Sequence, residues 1–182
     1  MAIDKRRMIK QAGILTLIVC VSTVLLTFTY ALTNPIIEKN REDRIENNIN
    51  LIFPEMERKE LRPAYDEGRK VGDYYAAYDS YDRIIGYVAV QEQQGYQSTI
   101  RMLVGISPSK DRVESIVILE QQETPGLGTK IEKDWFVDQF MGVGKNEIAL
   151  TREGGSIDAI SGATISSQAV VSGVNESIGW IR

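Results

Sequence analysis

The sequence contains no histidine and a single cysteine, Cys20. These absences exclude iron–sulfur clusters, histidine-ligated haem, histidine-based zinc sites and Ser-His-Asp catalysis. A disulfide within the chain is excluded as well. Redox chemistry, if the protein performs any, needs an organic cofactor, to which the protein supplies binding, orientation and electrostatics. No metal site and no general base are predicted.

Charge is missing from residues 11–33, whereas residues 1–10 contain four basic residues and one acidic residue. A helix of 23 residues is roughly 35 Å long, which is enough to cross a bilayer. The rival interpretation is a cleaved signal peptide, whose apolar region is about 7–15 residues long. We predict an uncleaved transmembrane helix over residues 11–33, with residues 1–10 in the cytoplasm.

The net charge of −4 is unevenly distributed, because residues 1–10 contribute +3 and the remainder contributes −7. An acidic domain is a poor partner for nucleic acid, so no nucleic-acid partner is expected. The basic N-terminus favours its placement in the cytoplasm, although Lys39, Arg41 and Arg44 closely follow the span. Residues 34–182 are therefore predicted on the extracytoplasmic side of the cell membrane.

Residues 34–70 are predicted to form a juxtamembrane helix and linker. Asn34-Pro35 is typical of a helix start, and Phe53-Pro54 of a helix end. The apolar stripe of this segment is narrow, so we expect a solvated stalk; it consists of Ile37, Ile45, Ile49 and Ile52. Residues 55–70 are charged and show no clear helical or strand pattern.

The β pattern begins near Tyr74 and dominates the first half of a predicted domain over residues 71–182. Its four runs are 74–78, 84–90, 99–106 and 113–119, and short turns join them. Such spacing favours an antiparallel meander. A short helix is predicted from near Asp134, with Trp135, Phe136 and Phe140 on one side in the core. The predicted fold class is α+β, an antiparallel sheet with packing helices, plus one N-terminal transmembrane helix.

The stretch from Asp158 to Ser167 precedes the last predicted helix. Ser161 is a good N-cap residue, Gly162 permits close backbone approach, and Ala163 adds little bulk. Thr164 adds a hydroxyl at a helix N-terminus, where an anion is favoured. On this local chemistry alone, the stretch is either an ordinary capping turn or an anion site.

A second compact stretch is Glu123-Thr124-Pro125-Gly126-Leu127-Gly128. Alone it indicates a turn. It is not a dinucleotide fingerprint, since the third glycine is missing. Residues 139–146 are not a phosphate-binding loop either, because Gln139 and Asn146 replace the required residues.

Together, the two stretches resemble the FMN-binding domain family, which includes the G subunit of the Rnf electron-transport complex and the C subunit of the sodium-pumping NADH:quinone reductase. The resemblance covers roughly residues 70–180, and Ser166 departs mildly from it, since threonine is common there. It implies FMN attached through a phosphoester to Thr164 by a separate flavin transferase. The implied recognition frame is Asp158, Ser161, Gly162 and Ala163, and the loop from Glu123 to Gly128 is implied to line the flavin ring.

Because the chain is compact, it resembles the Rnf-type protein more than the longer sodium-pump protein. The resemblance implies an electron relay in a membrane complex that moves electrons between ferredoxin and NAD and transports ions, with integral-membrane and redox subunits as partners. Two alternatives are the equivalent sodium-pump protein and a stand-alone extracytoplasmic flavin reductase. A third is an anchored domain that binds an unmodified anion.

Overall fold

The computed structural model describes residues 5–66 and 68–181. Predictions made for residues 1–4, 67 and 182 lie outside the described residues. The chain divides into two compact units, Met1–Asp43 and Arg44–Arg182.

The first helix, α1, extends over Lys5–Ile52. By length and composition, its part over Met8–Ile52 could cross a membrane. Large apolar side chains on it are exposed, among them Leu26 (71%) and Phe28 (63%), as expected of a helix that contacts lipid. The predicted helix start at Asn34-Pro35 is wrong, because Pro35 lies inside α1. A proline removes one hydrogen bond of the helical ladder, which a helix of 48 residues can tolerate.

The end of α1 belongs to the second unit and is packed rather than solvated. Ile45 and Ile49 are buried against one face of the sheet, together with Phe53. The predicted solvated stalk is therefore wrong for the last two turns, because that face of the sheet is apolar and requires cover. The predicted helix end at Phe53-Pro54 is confirmed, since α1 stops at Ile52.

The sheet has five antiparallel strands in the sequential order of a meander. They are β1 (Arg58–Asp66), β2 (Arg69–Tyr78), β3 (Ile84–Gln94), β4 (Thr99–Ile106) and β5 (Val113–Glu120). The four predicted runs correspond to β2–β5, and the predicted fold class is confirmed. Strand β1 lacks a sequence signal because most of its side chains are charged or exposed.

The other face of the sheet is covered by the C-terminal third of the chain. Helix α3 (Thr164–Trp180) packs against β3 and β4, and short helix α2 (Asp134–Val137) lies in the connection before it. Short 3₁₀ turns occupy Gly128–Glu132, Asp138–Phe140 and Thr151–Glu153. Phe136 and Phe140 are fully buried, as predicted, but Trp135 is 55% exposed and is not a core residue. This layer fixes the start of α3 at one edge of the core.

Candidate functional site

Three chain segments meet at the start of α3. They are the β3–β4 hairpin loop, the loop that follows β5, and the turn that precedes α3. They bring the two motifs singled out in the sequence next to one another, although about 40 residues separate them along the chain. The site is therefore a product of the fold and not of either motif alone.

The turn before α3 ends without a side-chain cap. Gly162 has φ +78°, a left-handed conformation that favours glycine, and Ala163 occupies the N-cap position. The prediction that Ser161 caps the helix is wrong, since α3 begins at Thr164. Ser167 instead secures the turn from inside the helix: it accepts a hydrogen bond from the Ile160 N–H and donates one to the Ala163 carbonyl. The uncapped first turn suits an anion.

Glu123 is the buried centre of the site, with 3% of its surface exposed. Its carboxylate accepts hydrogen bonds from the backbone N–H groups of Tyr96, Gln97 and Ser98 at 3.0–3.1 Å. The hydroxyl of Ser166 on α3 donates a further bond at 2.6 Å. One side chain thus connects the hairpin loop, the loop after β5 and the first turn of α3.

Hydrogen bonding decides the ionisation of this carboxyl. Burial by itself would raise the pKa of Glu123, because it disfavours the charged form. The hydrogen bonds from Ser166 and from the backbone of Ser98, Gln97 and Tyr96 outweigh burial and hold the pKa below its usual value. Glu123 is therefore an anion at neutral pH.

Two glycines make room for this carboxylate. A Cβ on Gly128 would lie 2.7 Å from the Glu123 Cβ and 2.8 Å from the Ser166 Oγ, and a Cβ on Gly95 would lie 2.6 Å from the Glu123 Oε1. Gly126 has a different constraint, since its φ is +75° and a Cβ there would meet nothing within 4 Å. Its N–H donates to the Thr129 hydroxyl. The glycines of the loop therefore serve packing and turn geometry.

A cavity of ≈ 550 Å³ opens beside this buried layer. Its lining residues are Tyr96, Thr124, Leu127, Gly128, Gly162, Ala163, Thr164, Ile165 and Ser166. Tyr96, Leu127 and Ile165 are 67%, 42% and 56% exposed, so the cavity presents apolar surface to solvent. None of its lining residues among the described part of the chain is charged.

The predicted site residues fall into two groups. Thr124, Leu127, Gly128, Gly162, Ala163 and Thr164 line the cavity. Asp158, Ser161, Pro125, Gly126 and Glu123 do not line it. The Asp158 N–H donates to Gln139 Oε1 at 2.7 Å, and its carboxylate is on an exposed residue. The two predicted segments therefore meet, but only part of each contacts the cavity.

Sequence reasoning missed three lining residues, Tyr96, Ile165 and Ser166. No sequence signal distinguishes Tyr96, since the similar Gly86-Tyr87 pair lies inside β3. Ser166 departs only mildly from the family pattern, and nothing in the sequence predicts that it is 1% exposed and bonded to Glu123.

A second cavity, of ≈ 370 Å³, shares Thr164 and Ile165 with the first. Its lining residues are Gln93, Gln94, Arg152, Thr164, Ile165, Gln168, Ala169 and Ser172. A larger cavity of ≈ 890 Å³ near Trp180 contains none of the predicted site residues among those that line it. Within the described residues, no group of three or more Cys, Asp or Glu side chains is placed to hold a metal ion.

Known protein families match both the N-terminal and the C-terminal part of the chain. A model of the FMN-binding domain family matches residues 95–179, and a model of the RnfG N-terminal region matches residues 1–52. The chain is 32% identical to the G subunit of the ion-translocating oxidoreductase complex of Methanosarcina acetivorans, with 98% of this chain and 96% of that protein covered. It is 30% identical to the G subunit of the proton-translocating ferredoxin:NAD+ oxidoreductase complex of Clostridium ljungdahlii, with 90% and 86% covered.

The fold also has a counterpart among solved structures. The crystal structure of Shewanella oneidensis NqrC superimposes with a TM-score of 0.51 at 21% sequence identity. The match covers 59% of this chain and 55% of that chain, so it spans just over half of the solved protein. It supports the α+β fold described above.

Proposed function

The chain belongs to the family of G subunits of ion-translocating oxidoreductase complexes, and on that premise we propose that it carries FMN covalently on the hydroxyl of Thr164. Membership makes it a redox component of a multi-subunit complex, as the sequence resemblance predicted. Its FMN-binding domain and its apolar N-terminal helix make it a membrane-anchored flavin protein.

The observation that carries the proposal is the position of Thr164. It is the first residue of α3, is partly exposed, and lies on the wall of the ≈ 550 Å³ cavity. That volume falls within the range of roughly 300–1,000 Å³ that is typical of cofactor sites. A phosphate on Thr164 would meet the uncapped helix N-terminus, and a flavin ring would meet Tyr96, Leu127 and Ile165. The residues present therefore fit FMN.

Attachment is a phosphoryl-type group transfer from an activated flavin phosphate, such as a flavin dinucleotide. The Oγ1 atom of Thr164 forms a bond to the flavin-side phosphorus, and the bond from that phosphorus to the second phosphate breaks. The hydroxyl proton leaves with the released nucleoside monophosphate. No carboxylate lines the cavity among the described residues, and Glu123 already accepts hydrogen bonds from the hairpin loop and from α3. We therefore assign the base to a separate flavin transferase.

The other hydroxyls of the motif are poorer acceptors. Ser166 is 1% exposed and donates to Glu123. Ser161 is exposed but lies three residues before α3, away from the cavity wall. Thr164 is the hydroxyl that combines access with the helix N-terminus.

We further propose that the protein relays electrons within a ferredoxin:NAD oxidoreductase complex. Bound FMN supplies one- and two-electron redox chemistry, in which ferredoxin is oxidised and NAD is reduced over the whole complex. The chain's own part is to hold the ring beside the apolar wall and to exclude water there. Residues 1–10 are proposed on the cytoplasmic side, residues 11–33 in the membrane and residues 34–182 on the extracytoplasmic side. The runner-up functions remain a sodium-pump flavin protein and a stand-alone flavin reductase.

The test is the Thr164→Val variant with Ser161→Ala as the matched control. Valine keeps the shape of threonine and removes the nucleophilic oxygen, so we expect a folded chain without covalent flavin. The control should retain it. Flavin fluorescence of the denatured chain on a gel is the measurement. Fluorescence that persists in Thr164→Val would refute the assignment, and its loss in Ser161→Ala alone would move the acceptor to Ser161.

A further inference from the structure

Thr164 and Ile165 line two neighbouring cavities that differ in charge. The ≈ 550 Å³ cavity is lined by uncharged and largely apolar groups, which suit a flavin ring. The neighbouring ≈ 370 Å³ cavity has apolar and amide residues in its lining as well, and it also contains the guanidinium-bearing Arg152. No carboxylate lines it among the described residues. A cofactor fixed at Thr164 can therefore place its two ends in different surroundings.

Arg152 forms a weak ion pair with its neighbour in the chain. It lies in the 3₁₀ turn Thr151–Glu153, and its Nη2 atom is 3.2 Å from the Oε1 atom of the adjacent Glu153. The two side chains are 57% and 43% exposed. An exposed ion pair of this kind contributes about 0–1 kcal/mol, so a phosphate oxygen can compete for the guanidinium. Arginine also presents paired N–H donors that match phosphate geometry.

Gln168 lies one helical turn after Thr164 and lines the same cavity. Its Oε1 atom is buried without a hydrogen-bond partner in the part of the chain that the structure describes. The other atom of its terminal amide, Nε2, is a hydrogen-bond donor of the kind that a phosphate oxygen accepts.

We propose that Arg152, assisted by Gln168, binds the phosphate of a flavin attached at Thr164, and that the ≈ 370 Å³ cavity is the phosphate subsite. This inference rests on the proposed function. It assigns the two cavities to opposite ends of one cofactor. Arg152 neutralises the single negative charge of the phosphodiester and directs the ring toward Leu127 and Tyr96.

The test compares Arg152→Gln with Arg112→Gln in the full chain. Arg112 is a matched control, because it is also 57% exposed, is paired with a nearby glutamate, Glu114, and lines neither cavity. Membranes containing each variant are supplied with the flavin transferase and a flavin dinucleotide. Arg152→Gln removes a charged hydrogen-bond donor to the phosphate, which raises the free-energy barrier of the attachment step. We therefore expect this variant to slow covalent attachment about tenfold or more. Arg152→Lys should recover part of that loss, since lysine restores the charge.

A second measurement does not depend on the attachment rate. The ³¹P resonance of the flavinylated chain should shift in Arg152→Gln relative to the wild type and remain unchanged in Arg112→Gln. Unchanged attachment and an unchanged resonance in Arg152→Gln, with flavin present on the wild type, would overturn the phosphate subsite alone. Absence of covalent flavin from the wild type itself would overturn the proposed function and this inference with it.

Discussion

The site has a buried side and an open side, and similar residues have different roles on the two sides. The inner layer, defined as Glu123, Gly128 and Ser166, is buried and holds three segments together. The outer wall, defined as Tyr96, Leu127, Thr164 and Ile165, contacts the cavity and solvent. Thr164 and Ser166 both carry hydroxyls, but two residues along a helix differ in direction by roughly 200°. One therefore points to the carboxylate and the other to the cavity.

The comparison predicts that changes to the inner layer affect stability, while changes to the outer wall affect the cofactor. The largest effect is expected for Glu123→Gln. The variant loses a charge and places an amide N–H against donors, so we expect a loss of about 2–3 kcal/mol and a lower melting temperature. Glu114→Gln, on an exposed ion pair, should change stability by less than about 1 kcal/mol. Thermal unfolding of the full chain in detergent measures both.

The pH dependence sharpens that prediction. Because the folded pKa of Glu123 lies below the unfolded value, its stabilisation is complete above the unfolded pKa of about 4.3. It is lost as the pH falls through the folded pKa. The difference in stability between wild type and Glu123→Gln should therefore be constant near neutrality and shrink below about pH 4. A difference that grows with acidification would contradict an ionised, hydrogen-bonded Glu123.

A smaller effect is expected for Gly126→Val. Its φ of +75° disfavours a β-branched residue, at a cost of about 1–2 kcal/mol, although a side chain there meets no neighbour. The strain should displace Leu127 on the outer wall, shift the flavin absorption or midpoint potential and slow electron transfer. Covalent FMN should be at least partly retained, because attachment takes place at Thr164.

The matched control is Gly126→Asn, since asparagine tolerates a left-handed conformation better. Its spectrum should resemble that of the wild type. If Gly126→Val is fully flavinylated with an unchanged spectrum and potential, the loop does not contact the ring and has only a structural role.

The smallest effect on the domain is expected for Ser109→Cys, which tests the side of the membrane. Ser109 is exposed in the turn between β4 and β5, so the substitution should leave the fold intact. A membrane-impermeant thiol reagent should label it in intact cells. The wild type, whose one thiol is Cys20 in the apolar helix, should remain unlabelled. Labelling only in broken cells would reverse the proposed orientation.

The sequence predicted the sheet better than it predicted the site. Strands β2–β5 carry apolar residues at strand spacing with clear turns between them, whereas the charged β1 is a strand only because it pairs with β2. Ser161 has the preferred chemistry of an N-cap, but the left-handed Gly162 delays the helix to Thr164. The burial of Glu123 could not be predicted from the loop, because its partners lie on two distant segments.

The intact mass of the chain purified from its native membrane decides whether Thr164 carries the flavin. We expect a mass increased by one FMN joined through a phosphoester, with fragmentation placing the increase on the peptide that contains Thr164. A chain with the unmodified mass, or an increase placed on a peptide without Thr164, would contradict it.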